Sequence, residues 1–347
     1  MVKYVLKRIG YMLLVLLILS FVMYSIYNMV PNDRAYSDAR ELVTANKNAN
    51  IDFEEVYAKY QRQYGTDGNL MQRYLRWVGI LPFSGVNEGD EPYFNGILQG
   101  NLGTSYVVGE PVKNIVMEPM KNTIFINIFA TIAALLITIP MGIFCAVHKG
   151  SKRDTGIQVF TLIGYSLPTF VVAILFIWIF VSNLNWFPAG GMSTTGAVYA
   201  NAWEAFGDKM YHLALPLIVM TFCSLGGMTR YVRASMIEAL PMDCIRTARA
   251  KGLREKKVIY SHAFRNALLP IVTLIIGWFL SIFAGSIMIE NIFALNGIGK
   301  LNITSLNKND FEVVLAIQMF YVTISLLGNL ITDIIYGFVD PRIRVNA

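Results

Sequence analysis

Pro241-Met242-Asp243-Cys244-Ile245-Arg246-Thr247-Ala248-Arg249-Ala250-Lys251-Gly252-Leu253 is a short, charged segment in a largely apolar chain. It sits inside a longer helix-permissive stretch, residues 229–266, between apolar runs at 212–228 and 267–289. Asp243 stands near its start, Arg249 and Lys251 in its last turn, and Gly252 just past its end. That order suits the helix dipole and a glycine stop, so a short helix is expected over 242–251. Thr247, Ala248 and Ala250 are small enough for a partner surface to approach closely. A basic connector between membrane spans would also carry such charges with no partner at all.

The runs on either side extend this pattern along the whole chain. Of 347 residues, 55% are hydrophobic and 15% charged, and mean hydropathy is +0.48. Soluble domains carry about 25% charged residues. A bilayer core takes roughly 20 apolar residues per helix. Six blocks meet this test: 9–30, 123–147, 156–181, 212–228, 267–289 and 311–338. The first follows Lys3, Lys7 and Arg8 and is too long for a signal-peptide core of about 7–15 residues. Pro140, Pro168 and Pro216 fall within blocks two, three and four and are expected to kink them. The fold class is therefore all-α, a polytopic membrane protein with six spanning helices.

Placing the N-terminus in the cytoplasm gives the inner segments three, three, nine and two Lys or Arg, 17 of the 29. The short outer loops hold one and two. Both termini are thus expected in the cytoplasm. The same rule accounts for the net charge of +6, and no nucleic-acid motif accompanies it. Segment 32–121 is long, polar and net negative, with nine basic and twelve acidic residues. Helical patterning over 39–64, a turn at Gly65-Thr66-Asp67-Gly68 and an amphipathic run at 69–79 point to a small extracellular helical domain. It serves either as a structural cap or as a dock for a delivery protein. Cys145, Cys223 and Cys244 have no metal-binding spacing, and no metal site is expected.

The charged stretch resembles the cytoplasmic loop of ABC importer permeases of the dipeptide/oligopeptide/nickel branch. The matching residues are Arg233, Ser235, Glu238 and Leu240, then 246–253, then His262 and 265–270. Arg246-Thr247-Ala248 stands where the general loop has Glu-Ala-Ala, a departure usual for the peptide branch. The resemblance extends to Gly103-Thr104-Ser105, Ser166-Leu167-Pro168-Thr169-Phe170, Glu290-Asn291-Ile292-Phe293 with Gly297-Ile298-Gly299, and Asp340-Pro341-Arg342-Ile343-Arg344. At Pro31-Asn32-Asp33-Arg34 the chain departs from the branch's Pro-Gly-Asp-Pro. It looks most like the first of two permeases, the B type with a long first outer loop.

The resemblance implies the type I ABC importer permease fold in a bacterial cytoplasmic membrane. It divides the chain into a first helix (1–31), an extracellular domain (32–121) and a core (122–347). Implied partners are a second permease, two ABC ATPases and a lipid-anchored or periplasmic substrate-binding protein, with lipid around the spans. ATP and Mg would be bound by the ATPases, and no cofactor or catalytic residue is expected in this chain. The sequence agrees, because the lone Gly299-Lys300 has Ala294 and Leu301 where a P-loop needs Gly and Ser or Thr. Asp243, Arg246, Thr247, Ala248, Arg249, Ala250, Lys251 and Gly252 would couple to an ATPase. Asp333, an acidic residue inside a spanning block, is a candidate for the translocation path or a gate, with Asn127 and Pro168. Peptides are the expected cargo; nickel, glutathione and an oligosaccharide stay open within the branch. A secondary transporter would show inverted repeats and more intramembrane charges, and neither is seen.

Overall fold

The computed structural model describes residues 2–30, 33–45, 51–85 and 90–339. The described residues form helices and two isolated β-bridges, Phe83 with Tyr93 and Thr104 with Pro111, but no strand. Two compact units result: one from Met1–Met117, Asn302–Leu330 and Gly337–Ala347, the other from Glu118–Leu301 and Ile331–Tyr336.

The first unit holds the 27-residue apolar helix α1 (Val2–Asn28) and three short helices, α2 (Arg34–Ala45), α3 (Phe53–Tyr64) and α4 (Leu70–Val78). Helix α3 starts where Asp52 accepts from the Glu54 amide and stops at Gly65, whose φ of 67° a side chain would resist. Asn69 and Gln72 cap the start of α4 reciprocally. Ala35 and Ala39 are fully buried and let α2 approach α3 closely. Tyr36 packs edge-on to Phe53, with ring centres 5.3 Å apart. Helix α4 lies on α1 through Tyr74, whose ring meets Phe21 at 5.1 Å and whose hydroxyl pairs with Ser20 at 2.7 Å.

Helix α5 (Val112–Val147) runs from the first unit into the second. The second unit continues with α6 (Lys152–Ser166), α7 (Thr169–Phe176) and a π-helical turn Ile177–Asn183. Next come α8 (Ala202–Ala239), α9 (Asp243–Ala250), the single turn α10 (Glu255–Lys257) and a π-helical turn Val258–Ala263. Helices α11 (Phe264–Ser281), α12 (Ile287–Ile292), α13 (Ile298–Asn307) and α14 (Phe311–Val339) complete the chain.

Among the described residues, four helices are long and apolar enough to cross a membrane: Tyr4–Asn28, Val112–Val147, Ala202–Ala239 and Phe311–Ile334. Two bent pairs, Lys152–Ser166 with Thr169–Asn183 and Glu255–Leu268 with Pro270–Ser281, bring the number up to six when each pair is taken as one span. The all-α, polytopic reading therefore holds. Much of the spanning surface is apolar yet exposed, as at Leu13, Leu14 and Leu17, which are each more than half exposed. Only lipid or another apolar surface would cover such a helix favourably.

Several block boundaries differ from expectation; the helix of the second block already begins at Val112, eleven residues before 123. The third block is broken rather than kinked, with a 103° bend between its halves. Leu167 is extended (φ −80°, ψ 139°), as a residue before proline tends to be, and Pro168 opens α7. The fourth helix begins ten residues before its apolar block, because Asn201 caps a polar first turn by accepting from Glu204. The fifth ends at Ser281, short of the expected 289, and a turn separates it from α12. Pro140 and Pro216 lie inside continuous helices. Pro31, Asn32 and the matched run 340–344 lie outside the described residues.

Candidate functional site

The 38 residues of α8 would extend ~57 Å at ideal rise, well beyond a bilayer core. Its end feeds α9 through Leu240-Pro241-Met242. Helix α9 is eight residues long and too short to hold itself in water. Tertiary packing supplies what its length does not. Ile245 is fully buried and Ala248 is 5% exposed, both in a cluster with Met236, Ala239, Val258 and Ala263. The opposite face is open: the Asp243 side chain is 97% exposed and that of Arg246 72%. Thr247 and Ala250 lie exposed beside them. Thr247 Oγ1 donates to the Asp243 carbonyl at 2.9 Å. Arg249 meets Glu255 at 2.7 Å, tying the helix end to α10. Gly252, at φ 73°, turns the chain away.

The expected helix is present to within one residue at each end. Ala248, however, points away from solvent. Its small size lets α9 seat on the chain's own core, and the surface left for a partner is Asp243, Arg246, Thr247 and Ala250.

A buried ion pair lies at the same end of α8. Arg233 donates to both oxygens of Asp154, Nε to Oδ1 at 2.9 Å and Nη2 to Oδ2 at 2.8 Å. Asp154 is 1% exposed and also accepts from the Gly150 amide and from Gln158. This bidentate pair fastens the first turn of α6 to the helix that carries α9. In the sequence Asp154 falls between the second and third apolar blocks, beside Lys149, Lys152 and Arg153. The available signal was Ser151-Lys152-Arg153-Asp154, a helix start in which Ser151 accepts from the Asp154 amide.

Helices α6 and α8 touch closely through glycine. A methyl group on Gly226 would sit 2.5 Å from the Thr161 carbonyl oxygen, and one on Gly164 2.7 Å from that of Phe222. Small residues at such crossings allow backbones to meet. Beside this crossing, in the second unit, lies a cavity of about 490 Å³, bordered by Asn127, Tyr165, Ser224, Tyr231, Trp278 and Ser281. Asn127 reaches it, but its amide also donates to the Ile282 and Ala284 carbonyls, both at 2.8 Å. Pro168 and Asp333 do not border this cavity. Pro168 sits exposed at the bend, and Asp333 is half-buried on α14.

Glu290 is a second buried carboxylate. It accepts from Lys300 N at 2.7 Å, Thr123 Oγ1 at 3.0 Å and Ser286 N at 3.2 Å. Burial pushes its carboxyl up from the usual range, and these hydrogen bonds oppose the shift. Gly297 leaves room for it, since a Cβ there would meet the carboxylate carbon at 2.3 Å. The Glu290-to-Gly299 motif thus closes the loop from α12 to α13.

Comparison with known proteins fits this architecture. Residues 138–345 match the family described as binding-protein-dependent transport system inner membrane component, and residues 1–127 match its N-terminal companion. The chain is 34% identical to the oligopeptide transport system permease protein AppB of Bacillus subtilis, covering 99% of this chain and 100% of that one. It is 31% identical to the dipeptide transport system permease protein DppB of Lactococcus lactis, again over 99% and 100%. A putative peptide permease of Brucella ovis is 32% identical, with the same coverage. With both parts of the chain matched, this protein belongs to the family of binding-protein-dependent transport system inner membrane components.

Proposed function

We propose that the chain is one of two permease subunits of a bacterial ATP-driven peptide importer. The observation that carries this reading is α9, which is anchored by Ile245 and Ala248 and presents Asp243, Arg246 and Thr247 outward. A short helix fixed on one face and open on the other suits a groove on a cytoplasmic ATPase. Arg249, Lys251 and Gly252 complete its end. Two ATPases would bind ATP and Mg, and the permease would supply no catalytic group. ATP shifts the conformational balance only if it favours one arrangement over the other. Motion at α9 would pass to α8 directly and to the first turn of α6 through Arg233 and Asp154.

In this reading both termini are cytoplasmic, and 32–121 is an extracellular domain between the first helix (1–31) and the core (122–347). A lipid-anchored or periplasmic binding protein delivers the peptide on that side. The 490 Å³ cavity is one wall of the translocation path, completed by a second permease. Asn127 stands on that wall, the bend at Pro168 gives α6 and α7 separate directions, and Asp333 is the remaining gate candidate.

The test is co-purification in mild detergent, followed by reconstitution. Recovery of a second permease and ATPases, with peptide uptake that needs ATP, supports the proposal. A lone chain that moves solute without ATP contradicts it.

A further inference from the structure

The first unit contains a second, larger cavity, about 870 Å³, formed by the ends of α1 and α2, the helix α3, the loop around Asn101 and the start of α14. That size lies within the ~300–1,000 Å³ of small-molecule sites.

Arg34 is its most constrained group. Its guanidinium carbon lies 4.4 Å from the centre of the Tyr64 ring and 5.7 Å from that of Tyr106. Nη1 donates to the Thr104 carbonyl at 3.2 Å. Nε makes no hydrogen bond but forms an ion pair with Asp38 Oδ2 at 3.6 Å, one turn along α2, and the Arg34 side chain is 28% exposed. The Asp38 contact is too long for a hydrogen bond, so the guanidinium, held by two rings, keeps donor capacity for a closer acceptor. A planar carboxylate is the acceptor that fits this fork.

The same cavity carries opposite charge. Asp33 borders it and accepts from the Tyr57 hydroxyl. Glu312 borders it too, its carboxylate lying over Gly103, where a Cβ would come within 2.6 Å of Oε2. Arg73, which donates to the Gly68 carbonyl, also borders the cavity, as do the carboxamides of Gln61 and Asn101 and the ring of Trp77. An anion alone would meet Asp33 and Glu312. A cation alone would meet Arg34 and Arg73. A neutral sugar would leave both kinds of charge unmatched. A short peptide with free ends offers an anion to Arg34 and a cation to Asp33 and Glu312, and its amides suit the carboxamides.

We infer that this cavity binds short peptides with free termini, Arg34 taking the carboxylate and Asp33 and Glu312 the ammonium group. The assignment rests on the peptide-uptake reading and adds to it a holding site within the permease itself, separate from the binding protein.

The test uses the full assembly in nanodiscs, without binding protein, and a photoreactive tripeptide in two forms, free acid and C-terminal amide. Adducts are mapped by mass spectrometry. The free acid is expected to label residues bordering the cavity, and the amide at least ~10-fold less, a difference of ~1.4 kcal/mol. Arg34→Gln should reduce labelling by the acid to the level of the amide and leave the amide unchanged. Equal labelling by acid and amide on the unaltered protein, or adducts confined to other regions, overturns the inference, and neither result depends on how the variant folds. ATP-driven uptake with the binding protein present, measured on the same preparation, separates the two claims. Uptake without acid-selective labelling removes the cavity site and keeps the importer. Acid-selective labelling without uptake keeps the site and removes the importer. Loss of both removes both.

Discussion

Helices α4 and α9 are similar in length and both amphipathic, yet they are held in opposite ways. Helix α4 is capped at both ends, by Asn69 with Gln72 and by Gly79 at φ 95°. It is also pinned to α1 by Tyr74 and Trp77, the latter 5.1 Å from Tyr24 between ring centres. Helix α9 has no side-chain cap at its start, where Met242 stands, and it seats only Ile245 and Ala248. One helix is finished within its own chain. The other leaves its polar face open to solvent, with only the exposed Asp243–Arg246 and Arg249–Glu255 pairs along it, as a helix that works against a partner would. The difference lies in what each helix lacks as much as in what it touches.

The largest expected effect comes from removing the seat of α9. Ile245→Asp places an unpaired charge in the cluster around Met236 and Val258, which costs several kcal/mol unless the helix lifts away. ATP-driven uptake should fall at least ~100-fold, while protease resistance of 70–78 stays as in the parent. Normal uptake would break the distinction between the helices. Tyr74→Ala should do the reverse. Loss of the ring and of its bond to Ser20 should destabilise the α4–α1 packing by about 3 kcal/mol, read as faster amide exchange in 70–78. ATPase association should be unchanged, and a parallel loss would mean that the first unit is needed for assembly.

Removing half of the buried pair is expected to matter similarly. Arg233→Met leaves Asp154 uncompensated at a cost of about 3 kcal/mol, with a lowered melting temperature, and adding Asp154→Leu should restore much of it. Arg246→Glu, on the open face, should weaken ATPase association ~10-fold without a change in melting temperature. The smallest effect is expected for Arg249→Gln. Its ion pair with Glu255 is about half exposed on both sides, and such pairs contribute ~0.5 kcal/mol or less.

The spans and the short helix were legible because their signals are local. Hydrophobic runs, the Asp243-to-Gly252 charge order and the Gly65 and Gly79 stops each depend on a few neighbouring residues. What stayed hidden depends on partners far along the chain. Asp154 reads as one charge in a basic connector until Arg233, 79 residues away, comes to meet it. Arg34 opens an ordinary amphipathic helix until Tyr64 and Tyr106 enclose it. Ala248 shows the limit within a motif: its smallness was plain, but the surface it faces is decided by Val258 and Ala263. Asn201 escaped notice because a polar first turn does not resemble a membrane helix.

The central claim is that the open face of α9 meets an ATPase in the cytoplasm. Cys244 tests it with the native sequence, since it is exposed on α9 while Cys145 is buried and Cys223 half-buried. Inside-out and right-side-out membrane vesicles would be treated with a membrane-impermeant bifunctional thiol reagent, and the products identified by mass spectrometry. The account predicts a Cys244 crosslink to an ATPase polypeptide in inside-out vesicles only. Labelling of Cys244 from the outside, or reaction from the inside with no ATPase attached, would contradict it.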